Sequence, residues 1–116
     1  MQYTHARLGS ILRKAAEAGE GTADPDWRAL EDAAPLILRL GRFPAVLRSA
    51  AEHAEPSEIT SWLSTCAREV NAWYTQHRVL GQEAGITAAR LRLVAAAKSA
   101  LAGGLALLGV AAPEEM

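Results

Sequence analysis

Residues 88–108, AARLRLVAAAKSALAGGLALL, are apolar on two sides at once. At the helical 100° per residue, Leu91, Val94, Leu101, Leu105 and Leu108 form one stripe, and Leu93, Ala100 and Leu107 form a second on the far side. A surface helix needs one apolar stripe; two predict a helix with neighbours on both sides, at the centre of a bundle. Gly103 and Gly104 each weaken such a helix by about 1 kcal/mol relative to alanine, which predicts that another helix approaches closely there. Lys98 interrupts the apolar run over residues 93–112 and leaves it shorter than a bilayer requires, so a buried helix is expected and no membrane span.

The rest of the chain supplies the neighbours. Half of its 116 residues are apolar, alanine and leucine dominate, and β-branched residues are sparse, so the composition leans towards helix and the length fits one domain. The first helix covers residues 2–14 and is broken by Gly19 and Gly21. Asp24, Pro25 and Asp26 open a second helix that runs to about Leu40, with Pro35 inside it as a point of kinking or splitting. Gly41 is its stop. Pro44 opens a short third helix, residues 45–54, with Phe43 packing just ahead of it. Pro56 opens the fourth, whose Ile59, Trp62, Leu63, Cys66, Val70, Trp73 and His77 share one arc and give the strongest amphipathic signal in the chain. A loop through Gly81 and Gly85 leads to Thr87, read as the cap of the last helix, and Gly109 ends it. The expected fold is all-α, a single-domain bundle of about five helices over residues 1–116 with no strand.

Two polar stripes stand out against this apolar frame. On the first helix Tyr3, Arg7, Ser10 and Lys14 line up beside the packing side made by Thr4, Leu8, Ile11, Leu12 and Ala15, and no acidic residue precedes Glu17. An aromatic ring with two cations suits a phosphate backbone and a stacked base, and equally suits a solvated basic face. On the fourth helix Asn71, Tyr74 and Arg78 stand three and four residues apart at the edge of the apolar arc and repeat the same pattern. The net charge of −1 argues against coating nucleic acid through bulk charge and leaves room for a local patch. Trp62 and Trp73 read as core and Trp27 as half-exposed.

Other chemistries are not supported. His5, His53, His77 and Cys66 lie apart with no paired ligand motif, so no metal site is expected. Cys66 and His77 are eleven positions apart, three helical turns, which reads as a buried thiol and not as a nucleophile with its base. Glu52, Glu55 and Glu58 read as a solvated rim. No glycine-rich phosphate loop follows a strand, and no cofactor or catalytic residue is expected. The single cysteine fits a reducing compartment, and with no export leader the expected location is cytoplasmic.

Six segments, taken in order, resemble one known family: QYTHAR at 2–7, SILRKA at 10–15, RFPAVL at 42–47, EVNAWY at 69–74, ARLRLV at 89–94 and GLALLGVAAPEEM at 104–116. The chain is similar along its whole length to the DALR anticodon-binding domain found at the C-terminus of arginyl-tRNA synthetases. That resemblance implies a helical bundle that grips the anticodon arm of a tRNA, arginine tRNA above all, with aromatics on unpaired bases and basic residues on phosphates. The matching residues are Tyr3, Arg7, Tyr74 and Met116, and Lys14, Asn71 and Arg78 extend the RNA-binding set. Glu115 departs from the arginine usual in the family tail and puts negative charge where RNA would approach. The nucleotide-binding motifs of the catalytic core are absent, so this chain is not expected to aminoacylate by itself. As part of a longer chain it would serve an ATP-dependent arginine–tRNA ligase, with the catalytic part of the synthetase as partner; an excised domain and a free-standing relative remain open. The alternative expectation is a protein-interaction or regulatory module that kept the fold and lost RNA, favoured by Glu115 and the acidic clusters, with a homodimer as one form.

Overall fold

The computed structural model describes residues 1–109. Its axis is helix α5, Ala84–Leu107, whose Leu91, Leu93, Val94, Ala97, Leu101 and Leu105 are all buried. Around it stand α1 (Gln2–Ala18), a 3-10 segment (Trp27–Ala33), α2 (Ala34–Gly41), α3 (Phe43–His53) and α4 (Ser57–Gln76), with no strand among the described residues. Helices α1, α2 and α4 and the 3-10 segment all pack against α5, as an axis apolar on two sides requires. The far stripe stops short of its predicted end: Leu93 is buried and Ala100 half-buried, but Leu107 is 58% exposed. The far side of that last turn is uncovered among the described residues, although Gly104 and Leu105 are buried on its near side, and Leu107 edges an apolar hollow with Leu47, Ala51, Pro56 and Ile59.

Glycine sets the spacing between α5 and its neighbours. A Cβ on Gly104 would lie 2.6 Å from Leu63 Cδ2, and one on Gly103 would lie 3.3 Å from the Phe43 ring. Leu63 is fully buried and cannot swing aside, so α4 reaches α5 only because residue 104 has no side chain. The same region is closed from outside by Phe43, stacked on Trp62 with ring centroids 4.6 Å apart, and by Trp62 Nε1, which donates to the Arg39 carbonyl at 2.9 Å.

The helix directions follow from long-range contacts. Asn71 meets Thr4 and Tyr74 meets Arg7, the same sequence separation in both pairs, so α1 and α4 run parallel. Leu63 opposes Gly104 towards one end and Arg78 meets Arg90 at the other, so α5 runs antiparallel to α4.

Several predicted boundaries move. The second helix is split at Pro35, which sits in the first turn of α2. Continuing one α-helix through it would remove a hydrogen bond and drive the ring against the preceding turn, so residues 27–33 coil as 3-10 instead. Asp26 caps that segment, its Oδ1 accepting from the Arg28 backbone N–H at 3.2 Å and from Arg28 Nε at 3.1 Å. The Arg28 hydrogen bonds hold the Asp26 carboxyl below the usual carboxylate range. Helix α4 ends at Gln76, and His77 has turned extended (φ −130, ψ 105), with its ring stacked on Trp73. Helix α5 begins earlier than predicted, capped by Glu83, whose Oε1 accepts from the Gly85 N–H at 3.0 Å. Thr87 does not cap; its buried hydroxyl accepts from the Gln82 N–H at 3.2 Å and pins the preceding turn. None of the described helices is long and apolar enough to cross a membrane.

Replacing Gly104 by valine forces two methyl groups into the space held by Leu63. The expected cost is about 1–3 kcal/mol, read as a melting temperature lowered by roughly 5–15 °C in a thermal melt. An unchanged melting temperature would show that α4 and α5 are not in this close register.

Candidate nucleic-acid interface

The two polar stripes of the sequence meet along the α1–α4 seam. Because the helices are parallel, Thr4 and Arg7, one turn apart on α1, face Asn71 and Tyr74, one turn apart on α4. The Arg7 guanidinium carbon lies 4.2 Å from the centroid of the Tyr74 ring, a cation–π contact of the kind worth about 0.5–2 kcal/mol. Arg7 Nη1 also points at Asn71 Oδ1, at a long 3.5 Å. The Asn71 amide is oriented from beneath, its Nδ2 donating to the buried Thr4 hydroxyl at 3.1 Å. Thr75 then donates its hydroxyl to the Asn71 carbonyl at 2.7 Å. Arg7, Asn71 and Tyr74 thus form one half-buried cluster, and Thr4, expected only to pack, is the residue that sets the amide.

The remaining predicted residues are placed differently. Tyr3, one turn before Arg7, is 63% exposed and presents an open ring. Tyr74 does not, since Arg7 covers one of its faces. Lys14 is exposed two turns beyond Arg7. Arg78 is exposed as well but lies past the end of α4, so the helical spacing that grouped it with Asn71 and Tyr74 no longer applies. Met116 and Glu115 lie outside the described residues.

Two arginines that the sequence reading left out of the site stand near it. Arg68, one turn before Asn71 on α4, is exposed and its Nη2 donates to Thr65 Oγ1 at 3.3 Å. The three-residue spacing to Asn71 was the available signal. Arg90 of α5 donates from Nη1 to the Arg78 carbonyl at 2.7 Å, a contact across a turn that no helical periodicity reports.

The opposite side of α4 is occupied structurally. Arg39 of α2 binds Glu69 through Nε and Nη2 at 3.2 and 3.1 Å, which neutralises that guanidinium. Cys66 lies fully buried on the inner side, and burial, reinforced by the Glu69 charge and opposed by Arg39, pushes its thiol up to about 12. Among the described residues, no group of three or more His, Cys, Asp or Glu side chains converges to hold a metal ion.

A family model described as the DALR anticodon binding domain matches residues 1–116. The chain belongs to that family. Among relatives of this DALR domain, the arginine–tRNA ligase of Desulfosudis oleivorans is 43% identical over the whole chain, which covers 22% of that protein. The arginine–tRNA ligase of Thermococcus kodakarensis is also 43% identical over the whole chain, which covers 19% of it. A solved structure, the arginyl-tRNA synthetase of Thermus thermophilus, matches 99% of the chain and 20% of its own length, with a TM-score of 0.88 and 38% identity. The DALR domain described here therefore spans about a fifth of the length of the relatives it matches.

The thiol of Cys66 provides a direct check on the packing of α4 in this domain. With its pKa near 12, only about one thiol in ten thousand is ionised at pH 8, and the thiolate is the reactive form. A disulfide-exchange reagent is expected to leave the native domain unmodified at pH 8 and to label Cys66 stoichiometrically once denaturant is added. Rapid labelling of the native protein would contradict the buried placement.

Proposed function

We propose that this DALR domain binds the anticodon arm of a tRNA along the α1–α4 seam, and that the tRNA is that of arginine. The observation that carries the reading is the Arg7–Asn71–Tyr74 cluster beside the exposed ring of Tyr3, aromatic surface and fixed positive charge on one face. Unpaired loop bases offer π-faces and hydrogen-bonding edges, and single-stranded loops are where proteins read RNA sequence. Tyr3 offers a ring for one base. Arg7, held on Tyr74, offers a cation already placed for a phosphate or a second base. The Asn71 amide is the group able to read a base edge. Lys14 and Arg78 stand beyond the cluster as phosphate contacts, and Met116, outside the described residues, is proposed as an RNA contact on the family resemblance alone.

The names of the relatives support the choice of tRNA, since each is an arginine–tRNA ligase or synthetase. The chemistry of aminoacylation belongs to the remaining part of such a protein, and the residues described here bind and orient RNA without a bond-making step. A near-neutral domain suits this role, because the cations needed are local to the seam. The cytoplasm, where tRNA is charged, is the location that goes with it.

A second reading is a protein-interaction module. Leu38, 69% exposed, and Ile37, 42% exposed, favour it, because they lie on α2, which packs on the side of α4 away from the seam. Its homodimeric form requires association in light scattering, and a strictly monomeric chain would count against that form.

The RNA reading predicts that Tyr3→Ala weakens binding to arginine tRNA by about tenfold or more while leaving the far-ultraviolet circular dichroism unchanged, since a stacked base is worth about 1–3 kcal/mol, and that Tyr74→Ala weakens it by releasing the Arg7 guanidinium from its place. Arg7→Ala is expected to weaken binding too. Affinity should fall with added salt, the slope of log K against log salt changing by about 0.7 for each single-stranded phosphate contact. No association in a low-salt titration would end this reading.

A further inference from the structure

Helix α4 ends without a cation of its own. Its last turn has no basic residue, and the partial negative charge of a helix C-terminus is otherwise met by the His77 ring, whose Nδ1 lies 3.0 Å from the Trp73 carbonyl. Arg90 reaches from α5 to the turn that follows the helix. Its Nη1 donates to the Arg78 carbonyl at 2.7 Å, two residues past the helix end, and that is its one hydrogen bond among the described residues. Its Nε is buried and makes no hydrogen bond there, so the guanidinium is desolvated on one side and committed to this place. No carboxylate pairs with Arg90 among the described residues, an unusual position for a half-buried cation.

The turn that receives this hydrogen bond is pinned at its other points as well. Val79 is buried to 2% exposure, the Gly81 N–H donates to Glu20 Oε2 at 3.4 Å, and the Gln82 N–H donates to Thr87 at 3.2 Å. One residue of the turn, Arg78, has its backbone held while its side chain stays in solvent. A long cation on a fixed backbone loses less freedom when it meets a phosphate than the same cation on a mobile loop.

We infer that Arg90 is a positioning residue for the RNA face: from α5 it holds the Arg78 carbonyl, fixes the turn after α4, and so aims the Arg78 side chain without touching RNA itself. The inference rests on the RNA-binding reading for its purpose, and on the Arg90–Arg78 hydrogen bond for its geometry.

Two measurements test it separately. In the RNA-free domain, Arg90→Gln should raise hydrogen exchange of the Gly81 and Gln82 amides, the two that donate within the turn, by about tenfold or more and leave the centre of α1 unaffected, while Arg90→Lys recovers part of the protection. In tRNA titrations across salt, Arg90→Gln and Arg78→Ala should lose affinity to a similar extent and each flatten the salt slope by about 0.7, and the double variant should lose no more than either single one. Unchanged exchange in Arg90→Gln, or losses that multiply in the double variant, overturns the inference. Should Arg90→Gln fail to fold, the wild-type domain decides by NMR: the Arg78 guanidinium signals shift when tRNA is added and those of Arg90 stay in place, whereas a comparable shift at Arg90 means that it touches RNA and the inference is wrong. A wild-type domain that binds no tRNA while its turn loosens in Arg90→Gln removes the RNA-binding reading and the recognition role of Arg90 together, and leaves the hydrogen bond as a structural tie between α5 and the turn only.

Discussion

Gly104 lets Leu63 sit where a side chain would otherwise be, and much of the molecule depends on that substitution of volume. With Leu63 fully buried against the bare backbone of α5, α4 has one depth and one register relative to the axis. The register places Asn71 and Tyr74 on the side of α4 that looks towards α1. Parallel pairing with α1 then brings Thr4 and Arg7 opposite them, at equal steps along both helices. The polar cluster on the surface is thus a consequence of steric fit in the interior. A slip of one helical turn at Leu63 would leave the Tyr74 ring without its guanidinium and the Asn71 amide without its hydroxyl.

The features legible in the sequence were those expressed in a single helix. The double apolar face of residues 88–108 gave the central position of α5, and Gly103 and Gly104 gave the close approach. The arc from Ile59 to Trp73 gave α4, and of the two polar stripes the one on α1 lies on a single helix as expected, while the one on α4 loses Arg78 past the helix end. What the sequence did not carry was the effect of one element on another. Pro35 announced a break, but whether the preceding residues would kink or rewind as 3-10 depended on Asp26 and its Arg28 contacts. Thr87 had the composition of a cap, yet its hydroxyl is taken by the Gln82 N–H and the helix starts earlier, at Ala84, with Glu83 as its cap. Leu107 fitted the far stripe by angle and is exposed because Leu63 packs on the near side of that turn, at Gly104, and no described residue covers the far side.

The candidate site shows the same division. Spacing alone grouped Tyr3 with Arg7 and Asn71 with Tyr74 on their helix faces, but did not show which of them touch across the seam. Arg78 shared a helical face with Asn71 only on the assumption that α4 continued, and His77 leaves the helix one residue too early for that. Thr4 was assigned to packing because its position on the wheel is inward, and its hydroxyl is nonetheless the acceptor that orients Asn71. The pairing of Arg7 with Tyr74 changes what each offers: the guanidinium gains a fixed place, and the ring gives up one of its faces. The open aromatic surface passes to Tyr3.

The hydrogen bonds and the ring contact across the seam join residues more than 60 positions apart in the chain. No single helix contains both halves, so the face exists only while the bundle is closed. A ligand that grips both helices must therefore favour the folded state over every opened one, by mass action, and would hold down the first helix most of all, since α1 contributes one entire side of the grip. Recognition and the integrity of the amino-terminal helix are in this sense one equilibrium, and anything that lets α1 lift away silences the surface without altering a residue of it.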